Sequence, residues 1–277
     1  MSEDSERSEV AAFGAKWSQR RPEIALALRF LEPDKRAMHC AFECLALEIE
    51  HSAYDLSEPS VATGKLEWWA EELMRSAAGA PQHPLTLLLA KNASFAGAPW
   101  GAVIAGATAQ HAAPASADLA ALLMRHSQFH APVSIAEATL FDGIDPDATA
   151  RSRSLVRSVR DSVAGMREGF SSSMPLPLDL LARHQLTRAS LAQGGPARMA
   201  ALRDHLGTLL ERFEALAVDA AGLPLLQVAA VSANRARLRI ALRASEPVNA
   251  LEHAFGSLPP LTAWKVWRCA RQRQRAS

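Results

Sequence analysis

From Lys35 to Leu56 the apolar residues Met38, Ala41, Phe42, Leu45, Ile49, Ala53 and Leu56 recur three and four positions apart, the spacing that lines one face of an α-helix. Similar spacing returns along most of the chain. Period-two alternation is scarce, and its best case, Ala236 to Ile240, is short. Such a chain buries its apolar matter helix against helix, so the fold class is all-α. Alanine, leucine and arginine, all good helix formers, dominate the composition. The spacing predicts helices over 35–56, 60–77, 84–91, 98–110, 116–127, 133–140, 146–169, 177–183, 196–220, 223–243, 247–255 and 260–273. Glu32-Pro33-Asp34 marks the start of the first of these and Ser57-Glu58-Pro59 its stop. Residues 1–22 read as a polar, mobile segment, and 23–277 as a single helical domain with no internal repeat. The loop from Ser171 to Pro177 is the clearest interior break.

Hydrophobic residues make up 49% of the 277, enough for a core, which excludes wholesale disorder. A formal charge of +1 excludes a protein that lives mainly on nucleic-acid phosphates. Cys40, Cys44 and Cys269 form too sparse a set for a disulfide framework and point to a reducing compartment. The acidic N-terminus lacks the pattern of a signal peptide. The uncharged stretch from Ala93 to Pro114 is broken by Pro99, Gln110 and His111, poor material for a membrane span. The expected location is cytoplasmic.

Glu48-Ile49-Glu50-His51-Ser52-Ala53-Tyr54-Asp55 concentrates carboxylates on one helix, and Lys65-Leu66-Glu67-Trp68-Trp69-Ala70-Glu71-Glu72 follows on the next. Clustered carboxylates facing a bundle interior can hold Mg²⁺ beside phosphates, and the alternative is a solvated acidic face. Arg153, Arg157 and Arg160 share a helix face beside Asp161, suited to gripping phosphate oxygens or simply to facing water. The small residues Ala102, Ala105, Gly106 and Ala109 suit close helix packing or a tunnel for a lipid chain. His126 and His130, four apart, lack a zinc signature and read as surface or core residues.

The succession Phe30-Leu31-Glu32-Pro33-Asp34-Lys35-Arg36, acidic helix, Ser57-Glu58-Pro59, Lys65-Leu66-x-Trp68-Trp69-x-Glu71-Glu72-Leu73 and His83-Pro84 resembles the start of the squalene/phytoene synthase family. Leu155-Val156-Arg157-Ser158-Val159-Arg160-Asp161, Arg167 and Met174-Pro175-Leu176-Pro177-Leu178-Asp179-Leu180-Leu181 resemble its second segment. Leu258-Pro259-Pro260-Leu261-x-x-Trp264-x-x-Trp267-Arg268 resembles the close of its less typical members. The resemblance implies a helical bundle of the isoprenoid synthase type, with the 35–56 and 151–169 helices facing each other across a central cavity. In active relatives two aspartate-rich motifs there hold Mg²⁺, and two prenyl diphosphates are joined head to head.

This chain departs from that pattern. Glu50 stands where the first motif's leading aspartate belongs, His51 follows it, and Tyr54 falls on the closing aspartate with Asp55 one place on. In the second motif Asp161 is kept, but Gly165 stands four residues later. The resemblance implies Glu50, Asp55 and Asp161 as catalytic and metal-holding candidates, with Glu48, Glu71 and Glu72 in reserve. It implies Arg157, Arg160 and Arg167 as diphosphate contacts. Metal ions stabilise a departing diphosphate as Lewis acids, and losing one electrostatic stabiliser can cost roughly 10²–10³ in rate.

Two expectations follow. One is a protein with little or no condensation activity that binds an isoprenoid, another lipid-like ligand or a protein partner; a mitochondrial complex I assembly factor that resembles these synthases is a precedent. The other is an active Mg²⁺-dependent prenyltransferase. Residues 1–75 carry a net charge of −6 and residues 235–277 a net of +7. Trp264, Trp267, Arg268 and Arg271 in the basic end suit an anionic membrane surface, so peripheral contact at the inner face of a membrane is also expected.

Overall fold

The computed structural model describes residues 3–111, 113–167, 176–187, 190–191, 195–218 and 222–275, with the side chains of 3–7 and Arg167 outside that description. Among the described residues all regular structure is helical. The order is α1 (Glu3–Arg20), α2 (Pro22–Arg29), α3 (Pro33–Tyr54), α4 (Pro59–Ala77), α5 (Pro84–Leu89), a 3₁₀ turn (Phe95–Gly97), α6 (Trp100–Thr108), α7 (Leu119–Leu140), α8 (Pro146–Arg167), α9 (Leu178–Arg183), α10 (Pro196–Val218), α11 (Leu225–Arg243), α12 (Pro247–Phe255) and α13 (Pro260–Gln274). None of these helices is long and apolar enough to cross a membrane.

Proline sets most of the starts. Pro22, Pro33, Pro59, Pro84, Pro247 and Pro260 open their helices, where the missing N–H has no helical partner to lose and φ is already helical. Asp145 starts α8 differently, its Oδ1 accepting from the amides of Asp147 (2.9 Å) and Ala148 (3.0 Å).

Two differences from the expected elements have clear causes. Residues 1–22, expected to be polar and mobile, contain α1. Val10 and Trp17 are buried on it, and the α1 backbone packs along α3. The expected helices 116–127 and 133–140 are one continuous α7 with Pro132 inside it. Proline removes the bond that would reach the Gln128 carbonyl. At that turn α6 presses in through Gly106, where a Cβ would lie under 3.0 Å from the Gln128 carbonyl and from Phe129 Cα. Of the small-residue stripe, Gly106 is thus the member that makes a close approach. Ser171–Pro175, most of the expected interior break, lies outside the described residues.

The apolar core has two halves. One gathers α2, α8, α10, α11 and the last helices around Val159, Leu206, Phe213 and Leu238. The other gathers α1 and α3–α7 around Trp17, Phe42, Leu45, Phe95 and Phe129. Between them lies a polar layer on the inner faces of α3, α7 and α8, whose buried members include Glu43, Glu50, His126, His130, Glu137, Arg153 and Arg157.

Candidate functional site

α3 is enclosed along most of its length, and every residue from Cys40 to Leu47 is buried. Its carboxylates at 43 and 50, seven apart, therefore turn together into the polar layer. On α8 the four-residue spacing of Arg153, Arg157 and Asp161 stacks a second row opposite.

The two rows meet on Arg157. Its Nη1 donates to Asp55 Oδ1 at 2.8 Å, and its Nε donates to Asp161 Oδ1 at 2.7 Å. Glu50 Oε1 lies 3.6 Å from Nη1 and accepts from Arg21 Nη2 at 2.5 Å. The guanidinium lies over the Tyr54 ring, 4.3 Å from its centre. Tyr54 in turn packs on His126 and His130, with His126 Nδ1 3.3 Å from the Tyr54 hydroxyl. His126 Nε2 is 3.3 Å from Asp161 Oδ2, and His51 Nδ1 is 3.3 Å from Asp55 Oδ2.

The electrostatics follow from this arrangement. Burial pushes the Glu50 carboxyl up, but the charges of Arg21 and Arg157 outweigh it and hold it at about 2. Asp161 is partly buried and Asp55 about 40% exposed, and Arg157 drives both well below the usual carboxylate range. Burial lowers His130 to about 3 and also lowers His126, so both rings are neutral. Arg157 stays charged, its burial outweighed by Asp161, Asp55 and Glu50.

Glu50, Asp55 and Asp161, the expected site carboxylates, do converge. The point on which they converge holds a guanidinium. Arg157, expected to face a diphosphate, is their shared counter-ion. Mg²⁺ needs free carboxylate oxygens at about 2.0–2.1 Å; here one oxygen of each carboxylate is engaged by Arg157 or Arg21, and Asp55 Oδ2 and Asp161 Oδ2 face His51 and His126. Among the described residues no group of three or more His, Cys, Asp or Glu side chains is arranged to hold a metal ion. The residues present therefore do not fit a magnesium cluster.

The reserve carboxylates lie elsewhere. Glu48 accepts from the Trp17 indole N–H (2.9 Å) and pairs with Lys16. Glu71 is exposed. Glu72 is buried and accepts from the backbone amides of Gln82 and His83, both at 2.9 Å, as well as from Thr86 and Arg75. It ties the end of α4 to the start of α5. The Arg167 side chain lies outside the described residues.

Beneath the Arg157 cluster is a second buried group. Arg153 Nη2 donates to Glu43 Oε2 and Glu137 Oε2, both at 2.8 Å. Neither glutamate was a candidate from sequence. This trio divides the interior. On one side is a mouth of about 550 Å³ lined by Arg20, Arg21, Arg157, Arg160, Asp55 and Phe255. Arg160 lies there over the Phe255 ring, and burial with Arg21 nearby lowers it to about 9. On the other side is a largely apolar pocket of about 520 Å³. Between them a cavity of about 20 Å³, lined by Glu43, Glu50 and Arg153, has room for about one water.

The sequence matches no protein-family model and no curated protein. The structure is similar to a crystal structure of a dehydrosqualene synthase in complex with ligand, with a TM-score of 0.71 at 11% identity over 99% of both chains. It is also similar to squalene synthase HpnC from Alicyclobacillus acidocaldarius, with a TM-score of 0.60 at 12% identity over 98% of this chain and 94% of that one. An all-helical bundle built around an opposed α3 and α8, matched along nearly its whole length, gives this chain the fold of the squalene and dehydrosqualene synthases.

Proposed function

We propose that this chain uses the synthase fold to bind an isoprenoid or lipid-like ligand and does not condense prenyl diphosphates. One observation carries the reading: Arg157 fills the space among Glu50, Asp55 and Asp161 where a metal-dependent relative needs cations. Prising a buried guanidinium from three carboxylates leaves uncompensated charge, a cost of about 3–5 kcal/mol. The constriction at Arg153 supports the same reading, because the cavity of about 20 Å³ beside it has room for about one water and not for a prenyl chain. Catalysis without metal would have to stabilise a departing diphosphate by arginines alone, and of the four at the mouth Arg157 and Arg21 already face Asp55 and Glu50.

The test is incubation with farnesyl and geranylgeranyl diphosphate, Mg²⁺ and NADPH, followed by extraction of products. No condensed hydrocarbon is expected. Turnover that disappears in Asp161→Ala would establish the alternative, an active magnesium-dependent transferase, for which the convergence of Glu50, Asp55 and Asp161 is the supporting observation. Calorimetric titration with a diphosphate analogue adds a second check, with no difference expected between Mg²⁺ and EDTA.

A further inference from the structure

The apolar pocket has a floor whose charge is unlike the rest of its surface. Its walls come from Ile24, Leu28, Leu31, Met38, Phe141 and Leu226, and its volume of about 520 Å³ falls in the range of small-molecule sites. It opens between the exposed residues Asp34, Lys35 and Asp142. Glu43 and Glu137 both reach it, although each is at least 95% buried. Arg153 is shared between them, so the group of Glu43, Glu137 and Arg153 carries a net −1 when ionised. Glu43 uses both oxygens on Arg153, at 3.3 and 2.8 Å. Glu137 uses only Oε2; its Oε1 makes no hydrogen bond among the described residues.

An occupant that displaces water from this pocket-lining acceptor has to donate in its place or leave it unsatisfied, at about 1–3 kcal/mol and more for a charged group. An anionic head is disfavoured there, since it would face two carboxylates in a low-dielectric site. We infer that this pocket takes an apolar molecule whose head donates hydrogen bonds and bears no negative charge, an alcohol or amine, with the head on Glu137 Oε1 and the tail along the α2 and α3 walls. This deepens the ligand-binding reading above, on which it rests, by fixing the head-group chemistry and by placing the entrance at the end of the bundle away from Arg157. Burial raises the Glu137 carboxyl while Arg153 opposes the shift. In its ionised form the residue accepts from an alcohol or pairs with an ammonium, whose charge acts with Arg153 against the rise.

Binding of farnesol, dodecylamine and farnesyl diphosphate to the full chain, followed by calorimetry and by thermal shift without metal, tests this. Farnesol and dodecylamine should bind and raise Tm. Glu137→Gln, which keeps the shape and leaves Glu43 on Arg153, should weaken dodecylamine at least tenfold. Leu28→Trp, which fills the pocket without touching the polar group, should weaken both ligands by a similar factor. No binding of either ligand, or binding indifferent to both variants, overturns the inference. So does farnesyl diphosphate binding that Leu28→Trp abolishes. Condensed product in the turnover assay would instead overturn the non-catalytic reading, so the two failures are distinguishable.

Discussion

Arg157 is the residue on which the chemistry of the cavity turns. Removing its guanidinium leaves Glu50, Asp55 and Asp161 facing one another, with Arg21 on Glu50, His51 on Asp55 and the neutral His126 on Asp161. Arg157→Ala should therefore lower stability by about 3–5 kcal/mol, read as a fall in urea midpoint with unchanged m. The freed oxygens then have what the parent lacks, so millimolar Mg²⁺ should raise the Tm of the variant and leave that of the parent unchanged. A flat response in both would mean the three carboxylates do not aim at one point. The site also sets a pH dependence. His39, His130 and His205 are lowered by burial to about 4, 3 and 4. In each case the unfolded chain binds the extra proton, so stability falls as pH drops below about 6.5. Glu50, held at about 2, adds a loss that begins near its unfolded value and continues as pH falls through 2. Both losses run in the same direction. His130 has no hydrogen-bond partner at either ring nitrogen among the described residues. His130→Phe should therefore fold and flatten the slope of stability against pH between 4 and 6 by about one proton; an unchanged slope would refute the assignment.

At the scale of the element, helix starts were the most legible feature, because proline at the first turn acts locally. α7 was misread for the same reason: Pro132 signals a break wherever it stands, and only the neighbouring α6 shows why the helix continues. Gly106→Ala tests that contact. The added methyl meets backbone rather than a movable side chain, so the expected loss is at the upper end of the roughly 1–3 kcal/mol typical of overpacking. Gly101→Ala, with open space around its Cβ, should be neutral or slightly stabilising because alanine favours the helix. Equal effects at the two positions would show that α6 and α7 are not in backbone contact. The candidate site was legible in part. Glu50, Asp55 and Asp161 could be found because helical spacing and a family pattern both mark them. The role of Arg157 could not, because it depends on how far α3 stands from α8. Glu43 and Glu137 were missed since each is a lone carboxylate in an apolar stretch. α1 did carry a signal, Val10, Phe13 and Trp17 at three- and four-residue spacing, hidden by its otherwise polar composition.

Across the whole molecule, the basic end and the apolar pocket meet. On α13, Val266, Thr262 and Ala270 face the core, while Leu261, Trp264 and Trp267 stand 67%, 51% and 44% exposed in one row. Arg268 lies over Trp264 and Arg271 over Trp267, each 5.6 Å from the ring. The two tryptophans therefore do not pack inward, which removes the simplest alternative to a surface role. Indoles backed by cations suit the headgroup region of an anionic bilayer. Six residues after Trp267, roughly 9 Å along the helix, Arg273 lines the apolar pocket. We propose that this row rests on a membrane and brings the pocket entrance close to it, so that an apolar ligand can pass between them without crossing much water. Co-sedimentation with vesicles containing phosphatidylserine should fall about tenfold in the Trp264→Ala, Trp267→Ala double variant, and the parent should bind neutral phosphatidylcholine vesicles more weakly. If the variant and the parent sediment equally, the row is not the docking surface. If binding is lost but farnesol affinity in solution is kept, docking and ligand capture are separate steps.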